Sequence, residues 1–130
     1  MTEITPFNIA DTFVALDDSC RARPLPVTAD FWEALQSGRL GTFSRMVSCL
    51  SFENDWGTWE KHPAGEEFVC LLEGDVDLAL ELPEGETVIT LNQPCAFVLV
   101  PADTWHTARV RRPSRMIFIT PGEGTENRPA

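Results

Sequence analysis

The 130 residues include no tyrosine, only two histidines, and only 10 lysines and arginines against 20 acids. Each scarcity excludes something. A net charge of −10 leaves no basic footprint for a nucleic acid. The best basic cluster, Arg109, Arg111, Arg112 and Arg115, is too small to reverse that balance. The longest strongly apolar run is Cys95–Val100, far short of the ~20 residues a membrane helix needs. The opening residues MTEITPFNIADTF lack a basic start and an apolar stretch, so no secretory leader is expected. Cys20, Cys49, Cys70 and Cys95 lie far apart, with no CxxC pair. They read as buried, reduced thiols of a cytoplasmic protein.

What is present is a core-forming composition. The hydrophobic fraction of 43% argues against disorder, and 130 residues suit one domain. The charge is segregated. Residues 53–86 hold 11 of the 20 acids and one base, Lys61, while the remaining acids and bases cancel.

Short apolar segments alternate with turn signals such as Ala64-Gly65, Glu73-Gly74, Pro83-Glu84-Gly85 and Asn92-Gln93-Pro94, a pattern of an all-β sandwich or barrel. Val76–Leu82 alternates branched aliphatics with Asp77 and Glu81, as a half-buried strand does. Thr87–Leu91 returns antiparallel across the turn Pro83–Glu86. Cys95–Val100 reads as a strand buried on both faces, and Met116–Thr120 as a further short apolar strand. Phe43–Phe52 reads as a strand that leads into the acidic segment. The one helix expected is Ala29–Ser37, capped by Thr28 and stopped by Gly38, with Phe31, Trp32 and Leu35 as its apolar stripe; it is expected outside the sheet. The barrel core spans about 43–120, preceded by a strand and helix in 1–42 and followed by a loosely ordered tail, 121–130.

Both histidines sit in informative surroundings. A strand over Thr58–His62 puts Glu60 and His62 on one face. After Pro63-Ala64-Gly65, a strand from Glu66 puts Glu67 on the face of Val69 and Leu71. A core-facing carboxylate is costly unless paired or bound to a metal. In the strand that begins at His106, that histidine shares a face with Ala108 and Val110. Three strands thus send ligand-type side chains into one interior. Glu66 points the other way, and so do Trp59 and Lys61. A lone histidine in a sequence is more often an ordinary hydrogen-bonded residue, so it is the convergence that carries weight.

These residues resemble the two motifs of the cupin family. His62-x4-Glu67-x6-Gly74 is similar to the second His, the Glu and the Gly of the first motif, and Pro101-Ala102-Asp103-Thr104-Trp105-His106 to the second, PxGxxH. The resemblance covers roughly Phe43–Thr120. It implies an antiparallel jelly-roll barrel (a double-stranded β-helix) with one short N-terminal helix, and a homodimer. Four positions depart from the pattern: Glu60 stands for the first His, Asp103 for a Gly, Cys95 for a Gly, and Val110 for an Asn.

The implied metal site is Glu60, His62, Glu67 and His106, with iron, manganese, zinc or nickel as the ion. A metal-free barrel with Glu60 as an acid–base group is the alternative. The absence of tyrosine removes the tyrosine acid/base that several cupin lyases and epimerases use. Trp56 and Trp105 flank the site and are candidates for its mouth, with barrel packing as the alternative; Arg45 is a candidate to bind a substrate carboxylate. Two functions follow: a metal-dependent enzyme on a small molecule, a dioxygenase for example, or a non-catalytic cupin that binds or senses a small ligand.

Overall fold

The structure, a computed structural model, describes residues 4–122 and 124–130. The first three residues of the segment read above for a leader, and Glu123 of the tail, lie outside the described residues. The described residues form nine strands and one helix. In order these are β1 (Thr12–Leu16), β2 (Ala22–Pro26), α1 (Phe31–Gln36), β3 (Arg45–Phe52), β4 (Thr58–Lys61), β5 (Glu67–Leu82), β6 (Gly85–Leu91), β7 (Phe97–Val100), β8 (His106–Pro121) and β9 (Glu126–Pro129).

All pairings are antiparallel, and two long strands serve both halves of the barrel. The first half of β5 pairs with β7 and with the end of β8, and β3 and β1 follow on the other side of β8. The second half of β5 pairs with β6 and with the start of β8, beside which lie β4 and β9. The register slips between Leu71 and Val76, where β5 bends. Gly74 sits in this bend at φ 118°, and a Cβ there would lie 2.0 Å from Ser114 Oγ. The same hydroxyl accepts a 3.0 Å bond from the Asp75 N–H, so only glycine fits.

Alternation sends Val69, Leu71, Val76, Leu78, Leu80, Val100, Ala108, Met116 and Phe118 into one shared core. Each fully buried aliphatic side chain contributes roughly 1.5–3 kcal/mol.

The two outer surfaces differ. On one, Val47, Ile119, Phe68 and Leu99 form a cross-strand row, with Cys49, Ile117, Cys70 and Phe97 beside it. Phe97 and Leu99 are each 56% exposed, so the Cys95–Val100 run is not buried on both faces as expected. On the other surface most acids of the β5–β6 hairpin are paired. Arg111 bonds Asp75 (2.8 Å) and Asp77, and Arg109 lies 3.5 Å from Glu86. Arg115 sits 3.5 Å from Glu73 near the bend.

Several other expectations need correction. The helix is shorter than Ala29–Ser37, with Asp30 at its N-cap; the Thr28 hydroxyl bonds the Asp30 carboxylate (2.6 Å) instead of a helix N–H. It packs through Phe31 on Phe13, Ala15, Leu25 and Met46, on the cavity-facing side of β1 and β3 and not outside the sheet. The β5–β6 turn has two residues, with Leu82 opposite Gly85. Cys20 and Cys95 are exposed, Cys70 is half-buried and only Cys49 is buried. The tail does not hang loose, since its strand β9 pairs with β4 from Thr58↔Pro129 to Lys61↔Glu126. No helix among the described residues is long and apolar enough to cross a membrane.

Candidate metal centre

A cavity of about 820 Å³ opens beside β3, β4 and the tail. One wall is aromatic: Phe52, Trp56 and Phe118 pack with ring centroids 5.5–6.1 Å apart. At the inner end Glu60, His62 and Glu67 line it, with His106 fully buried behind them.

Each of these side chains is placed by strand geometry. Glu60 lies on β4 opposite His106, the first residue of β8. His62 follows β4 directly, and Glu67 opens β5. The turn that delivers His106 runs through Asp103 at φ 57°, and Cys95 adopts φ 73° before β7. Both positions are left-handed, where glycine is the least strained residue, and asparagine and aspartate tolerate the conformation best among the rest.

Glu60, His62 and His106 offer ligand atoms that lie within 4.8 Å of one another. Glu67 ties them together. His106 Nε2 lies 3.0 Å from Glu67 Oε1, and Thr120 donates to Oε2 at 2.6 Å. His62 Nε2 lies 3.3 Å from the same Oε2, yet it is not aligned for a hydrogen bond and has no other partner among the described residues. Behind the rings, His106 Nδ1 donates to the Thr104 carbonyl (3.0 Å), and His62 Nδ1 lies 2.9 Å from Thr125 Oγ1.

The electrostatics follow from these contacts. Burial pushes the Glu67 carboxyl up, but the His106 hydrogen bond and the adjacent His62 ring outweigh it and hold the pKa at about 2. Burial pulls His106 down, and its bond to Glu67 outweighs that and raises it. Burial, and then the Glu67 charge, raises Glu60. With Nδ1 donating to a carbonyl and Nε2 facing a carboxylate, His106 is an imidazolium in this arrangement.

The residues fit a divalent metal ion. The orphaned His62 Nε2 and the adjacent Glu60 and His106 are two imidazoles and a carboxylate, a donor set that suits several transition metals. Of the pocket candidates, Trp56 lines the cavity and its indole N–H is buried without a partner among the described residues. Trp105 lies outside it, with Lys61 5.0 Å and Arg128 4.5 Å from its ring. Arg45 is exposed on the opposite face of β3 from Met46, Ser48 and Leu50, which line the cavity, so it does not reach a ligand there. Glu66 is exposed, as alternation predicts. Thr120 and Thr125 were not singled out by sequence, because nothing in an isolated threonine marks the partner it will meet.

No protein-family model matches the sequence, and no curated protein matches it. Its fold is similar to solved structures. Hydroquinone 1,2-dioxygenase from Sphingomonas sp. TTNP3 is 19% identical at a TM-score of 0.53, over 62% of this chain and 61% of that one. A cupin superfamily protein from Desulfitobacterium hafniense is 21% identical at 0.52, over 62% and 70%. Bacillus subtilis oxalate decarboxylase is 13% identical at 0.53, over 66% and 24%. The aligned region thus spans less than two thirds of the dioxygenase and decarboxylase chains. Together the two motifs, the barrel and these likenesses show that the chain folds as a small cupin.

Proposed function

We propose that the protein holds one divalent transition metal on Glu60, His62 and His106, with Glu67 as a fourth group and second carboxylate at the site, and acts on a small molecule in the cavity beside it. The observation that carries this reading is the convergence of the three donors around a buried, unpartnered His62 Nε2. Two histidines and one carboxylate with open positions suit iron(II), which when bound supplies oxygen activation. A metal-dependent dioxygenase is therefore the favoured activity, in line with the dioxygenase among the structural neighbours.

The protein's own residues restrict the ligand. Among the described residues, no lysine or arginine lines the cavity, whereas Asp55, Glu60 and Glu67 do. A free carboxylate ligand would find no side-chain cation there. The aromatic wall of Phe52, Trp56 and Phe118 favours an uncharged, ring-bearing molecule. The purified protein should contain about one metal per chain by elemental analysis and consume oxygen with uncharged phenols or diols. Absence of metal after loading with Fe(II), Mn(II), Zn(II) or Ni(II), with no thermal shift, would overturn the metal reading.

A second reading, a non-catalytic ligand-binding cupin, is favoured by one observation. Glu67 is already satisfied by His106 and Thr120 without any ion. Tight binding of a phenol with no oxygen uptake would select it.

The apolar outer surface supports a homodimer. It holds no acid within its two rows, while the chain as a whole carries −10. A second copy is the partner that can cover it without bringing the acidic surfaces together. Phe97→Glu should then convert a dimer to a monomer in light scattering, and a wild-type monomer would refute the assembly. The four free cysteines support a cytoplasmic location.

A further inference from the structure

We infer that Thr125 is a positioning residue, which holds the His62 ring by its Nδ1 and so aims its Nε2 into the metal cluster. The inference rests on the metal reading above and adds a device from outside either motif. A metal-binding histidine usually donates its second ring N–H to a fixed acceptor, which orients the ring and leaves the other nitrogen free. His106 has such an acceptor close by, the Thr104 carbonyl. For His62 the group at Nδ1 is the Thr125 hydroxyl at 2.9 Å, which comes from the far end of the chain. The hydroxyl can donate to Nδ1 or accept from it, and with a metal on Nε2 it accepts from Nδ1–H. In either form the contact fixes the ring with Nε2 3.3 Å from Glu67 Oε2 and free of an aligned hydrogen bond.

Thr125 is held where it is by β9. That strand pairs with β4, with Asn127 opposite Glu60, so one strand bearing a candidate ligand fixes the reach to another. Arg128 anchors it. Its guanidinium lies 5.3 Å from the Trp59 ring and 4.5 Å from the Trp105 ring, and it pairs with Glu81. This accounts for Trp59 and Trp105, neither of which lines the cavity.

The test compares Thr125→Val, which removes the hydroxyl at nearly constant shape, with Thr125→Ser, which keeps it. In metal-free protein, imidazole ¹⁵N–¹H correlations should show the same hydrogen-bonded His62 Nδ1 in the wild type and in Thr125→Ser, and a shifted, mobile ring in Thr125→Val. Competition with a chelator for Co(II) should show metal affinity falling roughly 10–100-fold in Thr125→Val, and near wild type in Thr125→Ser. The visible Co(II) spectrum should change with it. An unchanged His62 ring signal, or an unchanged Co(II) affinity, in Thr125→Val overturns the inference. Failure of the wild type to bind any metal overturns the metal reading, and the ring measurement still decides whether Thr125 holds the ring. Should Thr125→Val not fold, Thr125→Ala is measured the same way.

Discussion

The two histidines carry the same ring into the same cluster but are held by different parts of the molecule. His106 is part of the core. It is fully buried, opens one of the two long strands, bonds a carbonyl two residues away and carries a charge-assisted bond to Glu67. His62 is tied to the tail and has no aligned bond at Nε2. The first histidine belongs to folding as much as to the site, whereas the second belongs mainly to the site. One motif residue can therefore be indispensable to stability while its partner is free to be tuned.

The largest expected effect tests this difference directly. His106→Ala leaves Glu67 buried without its main counter-charge and should cost about 3–5 kcal/mol of stability, as breaking a buried pair does. His62→Ala leaves the bonds from His106 and Thr120 to Glu67 in place, and should cost about 1–2 kcal/mol while still abolishing metal binding. Equal losses in urea denaturation would erase the distinction.

Next in size is the pH dependence of the metal-free protein. Glu67 is held at about 2 against an ordinary 4.5, so its contribution is present above about 4.5 and is lost as pH falls toward 2. His106 is raised above 6.5, so its contribution is present below 6.5 and is lost as pH rises through the folded value. Stability should peak between these limits. Metal competes with the proton on His106 Nε2, so loaded protein should gain stability over the same rise in pH where metal-free protein loses it. Parallel curves for the two forms would show that His106 is not a ligand.

The smallest effect supplies a baseline. The Arg109–Glu86 pair is half exposed on both sides, so Arg109→Ala should cost only about 0.2–1 kcal/mol and leave metal affinity unchanged. A larger loss would mean that the charged outer surface is coupled to the site.

Much of the site was legible from spacing and alternation. Glu60 and His62 are two apart on one strand, and Glu67 shares the parity of Val69 and Leu71, so the inward assignments follow from the period of two. Gly74 was legible as a motif position; the reason for it, the Ser114 hydroxyl, was not. Arg45 was misplaced because β3 is apolar on both faces. Met46, Leu50 and Phe52 face one way and Val47 and Cys49 the other, so its sequence carries no parity signal. The same two-sided apolarity made Phe97 and Leu99 read as core. Thr125 was illegible because it follows two glycines in a polar stretch and acquires its meaning from pairing with a strand more than 60 residues away.

The sharing of β5 and β8 between the two halves reaches further than the shape of the barrel. Because each long strand is hydrogen-bonded in both halves, neither half owns a complete set of strands. Neither can therefore melt while the other stays intact. The chain should unfold in a single cooperative step, with the tryptophan signal beside the cavity and the loss of strand structure coinciding at one midpoint. In such a molecule the affinity of the cavity for its ligand and the resistance of the whole chain to denaturation are one linked quantity, read at either end.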